Sequence, residues 1–483
     1  MPDHTFLWHD YETFGPEARR DRPAQFAAIR TDAALNEVGE PIMHFCRPAP
    51  DFLPDPTACL ITGITPQLCL QQGLPEYEFA ALIEREMAQS GTIGVGYNTI
   101  RFDDEITRFM FWRNLIDPYA REWQNNCGRW DILDMVRTAY ALRPDGIEWP
   151  RREDGSASFR LEHLSAANGI GHEAAHEALS DVRATIALAR LIRSLQPKLF
   201  DFCLSLHKKE RVADEIRLHQ PRPLLHVSGM IPADRGCIAL VWPLALHPTN
   251  KNEVIVWDLS CDPRELAGMD ADTMRMRMFT KADALPAGMT RLPIKTIHLN
   301  KSPIVIGNIQ PYLPMLERRW GFDIGAALEH AQHAAGLPDL SATWRAVFQR
   351  PAEAAPDVDE DLYGGFIGNG DRRQLNQLRH MTPEQLATVK PGFVDHRLEE
   401  LLFRYRARNF PESLNALERE RYHDYRSERM TAGIGGARTV NGWQAEVHAL
   451  LETADPRGKD ILQALQNYVG GILPMPGDAD KSQ

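Results

Sequence analysis

Thr5-Phe6-Leu7-Trp8-His9-Asp10-Tyr11-Glu12-Thr13 reads as an apolar strand that carries two acids near its end. Side chains two apart on a strand share a face, so the Asp10 and Glu12 carboxylates stand about 7 Å apart. In an apolar strand such a pair is costly unless something positive lies between the two. Two divalent cations roughly 3.5 to 4 Å apart fit that span, and an all-oxygen donor set favours magnesium or manganese. On these residues alone, a strand end with solvated or ion-paired acids is the simpler account.

Working outward, a Gly15-Pro16 break leads to extended segments at Gln25 to Thr31 and Pro41 to Arg47, with Asn36 and Gly39 marking a hairpin-like connection. A helical pattern over Glu76 to Met87, a short strand over Thr92 to Tyr97 and a helix from about Phe102 to Asn114 follow. This β-α-β-α order predicts a mixed sheet flanked by helices. Helical patterns at Ile132 to Leu142 and Asp181 to Leu195 complete a first domain, 1–196. From Leu224 to Ile309 short β-rich runs (Ile238 to Trp242, Val254 to Leu259, Ile294 to Leu299) predict a small barrel, placed in a second domain, 197–350. Arg350 to Asp357 reads as a linker, and Asp357-Val358-Asp359-Glu360-Asp361 as its charged end. The latter mimics the start of a calcium loop, but Leu362 stands where glycine is required. Helix signals dominate 351–475, with Thr382-Pro383-Glu384-Gln385 as a capped start, and 476–483 reads as a disordered tail.

Two further elements carry acids. Asn98-Thr99-Ile100-Arg101-Phe102-Asp103-Asp104-Glu105 follows the strand ending at Tyr97, and the carboxyl ends of strands are where α/β sheets place their sites. His176-Glu177-Ala178-Leu179-Ser180-Asp181 sets a histidine five residues before an acid that opens a helix. Singly, each is open to a plain reading as a helix start. Together they complete the ordered set Asp, Glu, Asp, His, Asp.

That order, with Glu177 rather than tyrosine four residues before Asp181, resembles the DEDDh class of 3′-to-5′ exonucleases. Within the class the chain is similar to a bacterial branch of exodeoxyribonucleases. The likeness is carried by His9 to Gly15, Asp21 to Phe26, Gly96 to Asn98, Arg101 to Glu105, Phe159 to Leu164 and Arg404 to Pro411, and it spans nearly the whole chain. The resemblance implies an RNase H-like exonuclease domain followed by an SH3-like barrel and a helical C-terminal domain, closing on one strand for processive digestion. It implies two Mg2+ ions, replaceable by Mn2+, on Asp10, Glu12, Asp103 and Asp181, with His176 as general base. Asp103 is taken over Asp104 because the family's acid directly follows the aromatic, here Phe102. Expected substrate contacts are Glu12, Thr13, Arg108, Tyr119, Trp123, the phosphate clamp Arg160, and Lys301, with Lys295 and Asn300 as further barrel candidates. A single-stranded DNA-binding protein is the implied partner, its acidic tail on Arg143 and Arg222.

Composition sets limits. The 483 residues are 43% hydrophobic and carry a net charge of −12, which argues against a surface basic throughout, though not against one basic groove. Seven scattered cysteines without a C-x-x-C pair, and no stretch of roughly 18 apolar residues, predict a reduced, cytoplasmic protein off the membrane; a monomer is expected. No G-x-x-x-x-G-K-[ST] is present, so ATP-driven translocation is not expected. Three other functions fit parts of the pattern: an RNA trimmer, a silent nucleic-acid clamp, and a phosphohydrolase of small esters.

Overall fold

The computed structural model describes residues 4–171, 177–349 and 355–474. Contacts divide the chain into two compact units, one of residues 1–128, 172–183 and 354–483, the other of 129–171 and 184–353.

In the first unit, β1 (Thr5–Thr13) pairs antiparallel with β2 (Pro23–Thr31), which pairs antiparallel with β3 (Ile42–Phe45). On its other side β1 runs parallel to β4 (Thr92–Gly96). A parallel neighbour needs a crossover. It is made by α1 (Pro56–Thr62), α2 (Pro66–Gln72) and α3 (Glu76–Met87). Asp55 and Thr65 cap α1 and α2, each followed by a proline whose missing N–H costs nothing at a first helical position. Leu7, Tyr11, Phe26, Phe79, Ile83 and Met110 form one buried cluster beneath this sheet. After β4 the chain turns through Asn98 at φ 65° into α4 (Asp103–Arg113). Gly96 is required at that turn, because a Cβ there would lie 2.8 Å from the His9 carbonyl oxygen.

The helices after residue 368 belong to the same unit. Thr382 and Gln385 form the expected capping box. Phe109 and Trp112 of α4 share a buried cluster with Leu375, Leu398 and Leu402. The charged end of the linker is a correction: Asp359, Glu360 and Asp361 are buried, not solvated. Arg408 grips Asp359 and Asp51 together, Arg404 takes Asp357, Arg20 takes Glu360 and Arg397 takes Asp361. The basic run 404–408 therefore answers the acidic run 357–361.

The chain leaves the first unit within β5 (Gly128–Asp131). The second unit holds a five-stranded antiparallel sheet of β6 (Leu224–Val227), β7 (Ile238–Leu246), β8 (Glu253–Asp258), β9 (Ile294–His298) and β10 (Ile304–Ile306), in the order β10-β6-β7-β8-β9. The same unit contains α5 (Leu133–Leu142) and α6 (Leu161–Ala167), and takes in α7 (Ala178–Leu195) from residue 184 on. Helices at Pro197–Ser205, Lys209–Ile216, Leu313–Trp320, Ile324–Ala335 and Ser341–Phe348 lie in the segment expected to be chiefly barrel. The division by contacts crosses the expected first domain, because 129–171 and 184–195 cluster with the sheet of the second unit.

Candidate active site

Asp10 and Glu12 project from β1 and Asp181 from the first turn of α7, with one carboxylate oxygen of each lying within 4.8 Å of the others. Asp103, the first residue of α4, accepts a hydrogen bond from the Tyr11 N–H at 3.0 Å, which fixes that helix start against β1. Burial pushes the Asp10 carboxyl well above the usual carboxylate range, and Asp103, Glu12 and Asp181 push it further. Burial, Asp181 and Asp103 likewise raise Glu12 to about 8. Like charges forced together without a neighbouring cation resist ionisation. The physical remedy is a cation, and a compact, all-oxygen donor set suits a hard divalent ion. The residues present thus fit a metal centre.

Asp104 faces away from this cluster. Its Oδ1 accepts from Arg121 Nη2 at 2.5 Å, and both side chains are buried. Arg121 stands on the turn Ala120–Glu122, for which no sequence signal existed. The next residue, Glu122, takes both Nε and Nη2 of Arg108 at 2.7 and 2.9 Å. Arg108 Nη1 donates to Glu105 at 2.7 Å and to the Tyr363 hydroxyl at 3.1 Å, and its guanidinium lies over the Tyr119 ring. Four of its hydrogen bonds are thereby internal, so Arg108 is a buried brace of α4 more than an open phosphate contact. Tyr363, which also bonds Glu105, was not singled out from sequence. Thr13 is buried, its hydroxyl donating to Gly15 O at 2.7 Å. Trp123, by contrast, is 62% exposed, an unusual position for an indole.

The other expected residues lie in the second unit. Arg160 is exposed beside Glu162 at 3.8 Å. Lys295 donates to Met230 O at 3.0 Å, Asn300 O accepts from Arg129, and Lys301 sits in the turn after β9. Arg143 stacks on Tyr312, and both line a cavity of about 460 Å³ with Lys198 and Phe202. Arg222 lies close to Gly307, the neighbour of Ile306 in that wall. His176 lies outside the described residues.

An acid cluster at the carboxyl edge of a mixed sheet is a donor set suited to metal-assisted hydrolysis, and the comparisons put the chain among nucleases of the exonuclease class. Residues 7–189 match the exonuclease family, 207–350 the exonuclease I SH3-like domain and 356–472 the exonuclease I C-terminal domain. The chain belongs to the exodeoxyribonuclease I family. It is 43% identical over 476 residues to exodeoxyribonuclease I of Escherichia coli K12, covering 97% of this chain and 98% of that one. A moderately thermophilic exonuclease I from Methylocaldum szegediense superposes with a TM-score of 0.92 at 46% identity, covering 97% of this chain and all of that one. A zinc-bound form of the E. coli enzyme in complex with single-stranded DNA superposes with a TM-score of 0.91 at 42% identity over 97% of this chain and 99% of that one. The chain is a hydrolytic nuclease, and its fold is an exonuclease domain with an SH3-like domain and a helical C-terminal domain. No helix among the described residues is long and apolar enough to cross a membrane.

Proposed function

We propose that this protein removes nucleotides from the 3′ end of single-stranded DNA, releasing 5′-mononucleotides. One observation carries the reading: three acids from β1, α4 and α7 (Glu12, Asp103 and Asp181) crowd Asp10, with no cation among the described residues that shift it, in a chain similar along nearly its whole length to exodeoxyribonuclease I. Asp10, Glu12, Asp103 and Asp181 would hold two Mg2+ ions, which supply Lewis-acid stabilisation of phosphodiester charge and a more acidic water. His176 is assigned as the base that takes a proton from the attacking water. The Tyr11 N–H orients Asp103 by donating to it, and burial of the cluster keeps bulk water from weakening its electrostatics. Trp123 and Tyr119 offer aromatic faces on which unpaired bases stack, a sequence-tolerant way to hold single strands.

Processive passage of one strand, in DNA repair and recombination in the cytoplasm, belongs to the same reading and is supported by the likeness to exodeoxyribonuclease I along nearly the whole chain. The cavity beside Arg143, with Lys198 and Tyr312 on its walls, suits the acidic tail of a single-stranded DNA-binding protein. The test is digestion, in magnesium, of one 5′-labelled oligonucleotide as single-stranded DNA, duplex DNA, single-stranded RNA and DNA with a blocked 3′ end. Shortening of the free single-stranded DNA alone is expected. Preference for RNA would reassign the protein to RNA trimming, and binding without cleavage would make it a clamp.

A further inference from the structure

Two adjacent acids at the start of α4 have opposite fates: Asp103 accepts from the N–H of Tyr11, between Asp10 and Glu12 on β1, at 3.0 Å, and Asp104 is buried against Arg121 at 2.5 Å. A slip of one residue would put Asp104 where Asp103 stands, since consecutive side chains on a helix point about 100° apart. The Tyr11 N–H on Asp103 helps to specify the register. The turn Ala120–Glu122 does so with two neighbouring residues of opposite charge. Arg121 holds Asp104, and Glu122 holds Arg108, which stands four residues further on the same face of α4. A slip of one residue would set Glu122 against Phe109, and a slip of one turn would set Arg121 against Arg108 and Glu122 against Trp112. The pairing therefore accepts one register only. The same turn continues directly into the exposed Trp123.

We propose that Arg121 is a positioning residue of the active site: by capturing Asp104 it locks the register of α4 and so presents Asp103 to the metal cluster. This rests on the metal-dependent nuclease reading above. Second-sphere partners of metal ligands commonly set metal affinity by about 10–100-fold, and Arg121 acts one residue removed from a ligand.

The test is direct Mn2+ binding, by calorimetry or by the electron paramagnetic resonance of free Mn2+, on the full chain without DNA. R121M leaves a buried carboxylate unpaired and risks unfolding, so the informative variant is the charge-free pair D104N/R121M, with R121K as the conservative one. We expect Mn2+ binding about tenfold weaker in the double variant, a metal requirement for turnover shifted up by the same factor, an unchanged KM for the oligonucleotide at saturating metal, and partial recovery in R121K. A double variant that melts like the parent and binds Mn2+ with parental affinity would overturn the proposal. If the parent itself binds Mn2+ yet cuts no single-stranded DNA, the functional reading fails while the positioning role still stands or falls on the binding data.

Discussion

Arg408→Ala tests the buried charge cluster around Asp51 and Asp359. Arg408 donates through Nε and Nη2 to Asp51 Oδ2, at 3.0 and 2.6 Å, and through Nη1 to Asp359 Oδ1 at 3.0 Å. Asp51 is 1% exposed and Asp359 2%. Asp359 keeps Arg404 and Arg22, whereas Asp51 loses its only ion pair within 4 Å among the described residues. Removing one partner of a buried pair costs about 3–5 kcal/mol, and for domains of this size each kcal/mol lowers Tm by about 2–4 °C. A fall of roughly 6–20 °C is expected, read by calorimetry or by the fluorescence of Trp112 and Trp443, both buried in the same unit. Adding Asp51→Asn should restore part of the loss, because the penalty is an uncompensated charge and not a missing contact. A melt within about 2 °C of the parent, or an Asp51→Asn that deepens the loss, would refute the reasoning.

Asp10→Asn is expected to abolish magnesium-dependent cleavage by removing the acid at the centre of the cluster, with the melting temperature unchanged or raised, as relief of like-charge repulsion requires; gel digestion and calorimetry check the two halves. His176→Ala should lose turnover, by about 100-fold or more, while the Kd for a 3′-blocked oligonucleotide stays at the parental value. Acid should destabilise the parent through Asp51: burial opposes its ionisation, but Arg408 and Arg22 outweigh it and hold the carboxyl at about 2, below its unfolded value near 3.9. The unfolded chain then binds more protons, so the stabilisation is complete above about pH 4 and drains away as pH falls toward 2; melts across that window should show the decline, flattened in Arg408→Ala.

How much of this was legible depended on the range of the interaction that decides each feature. The spacing of Asp10 and Glu12 is a property of one strand, and the helix Glu76–Met87 follows from its own apolar period; both stand where the sequence put them. The helices between 313 and 348 were not read, since Ala327, Ala331 and Ala334 form the buried stripe of one of them and alanine gives little contrast in a hydrophobic pattern. Local physics does not choose between Asp103 and Asp104, both acids at a helix start; the family likeness favoured Asp103, and in space the two are separated by the Tyr11 N–H on Asp103 and by Arg121, seventeen residues from Asp104. The run 357–361 looked like a charged linker because its cations stand 36 to 49 residues downstream, at 397, 404 and 408, or far upstream at 20 and 22. A carboxylate's neighbours in sequence say whether it can be ionised in water; only its neighbours in space say whether it is neutralised by an arginine or left to recruit a metal. In this chain that distinction separates Asp104, Asp51 and Asp359, which have their cations built in, from Asp10 and Glu12, whose charged neighbours among the described residues are other acids. The unbalanced acids are the ones that call for a metal, and the balanced ones tie α4 to Arg121 and the linker run to the C-terminal helix that carries Arg408.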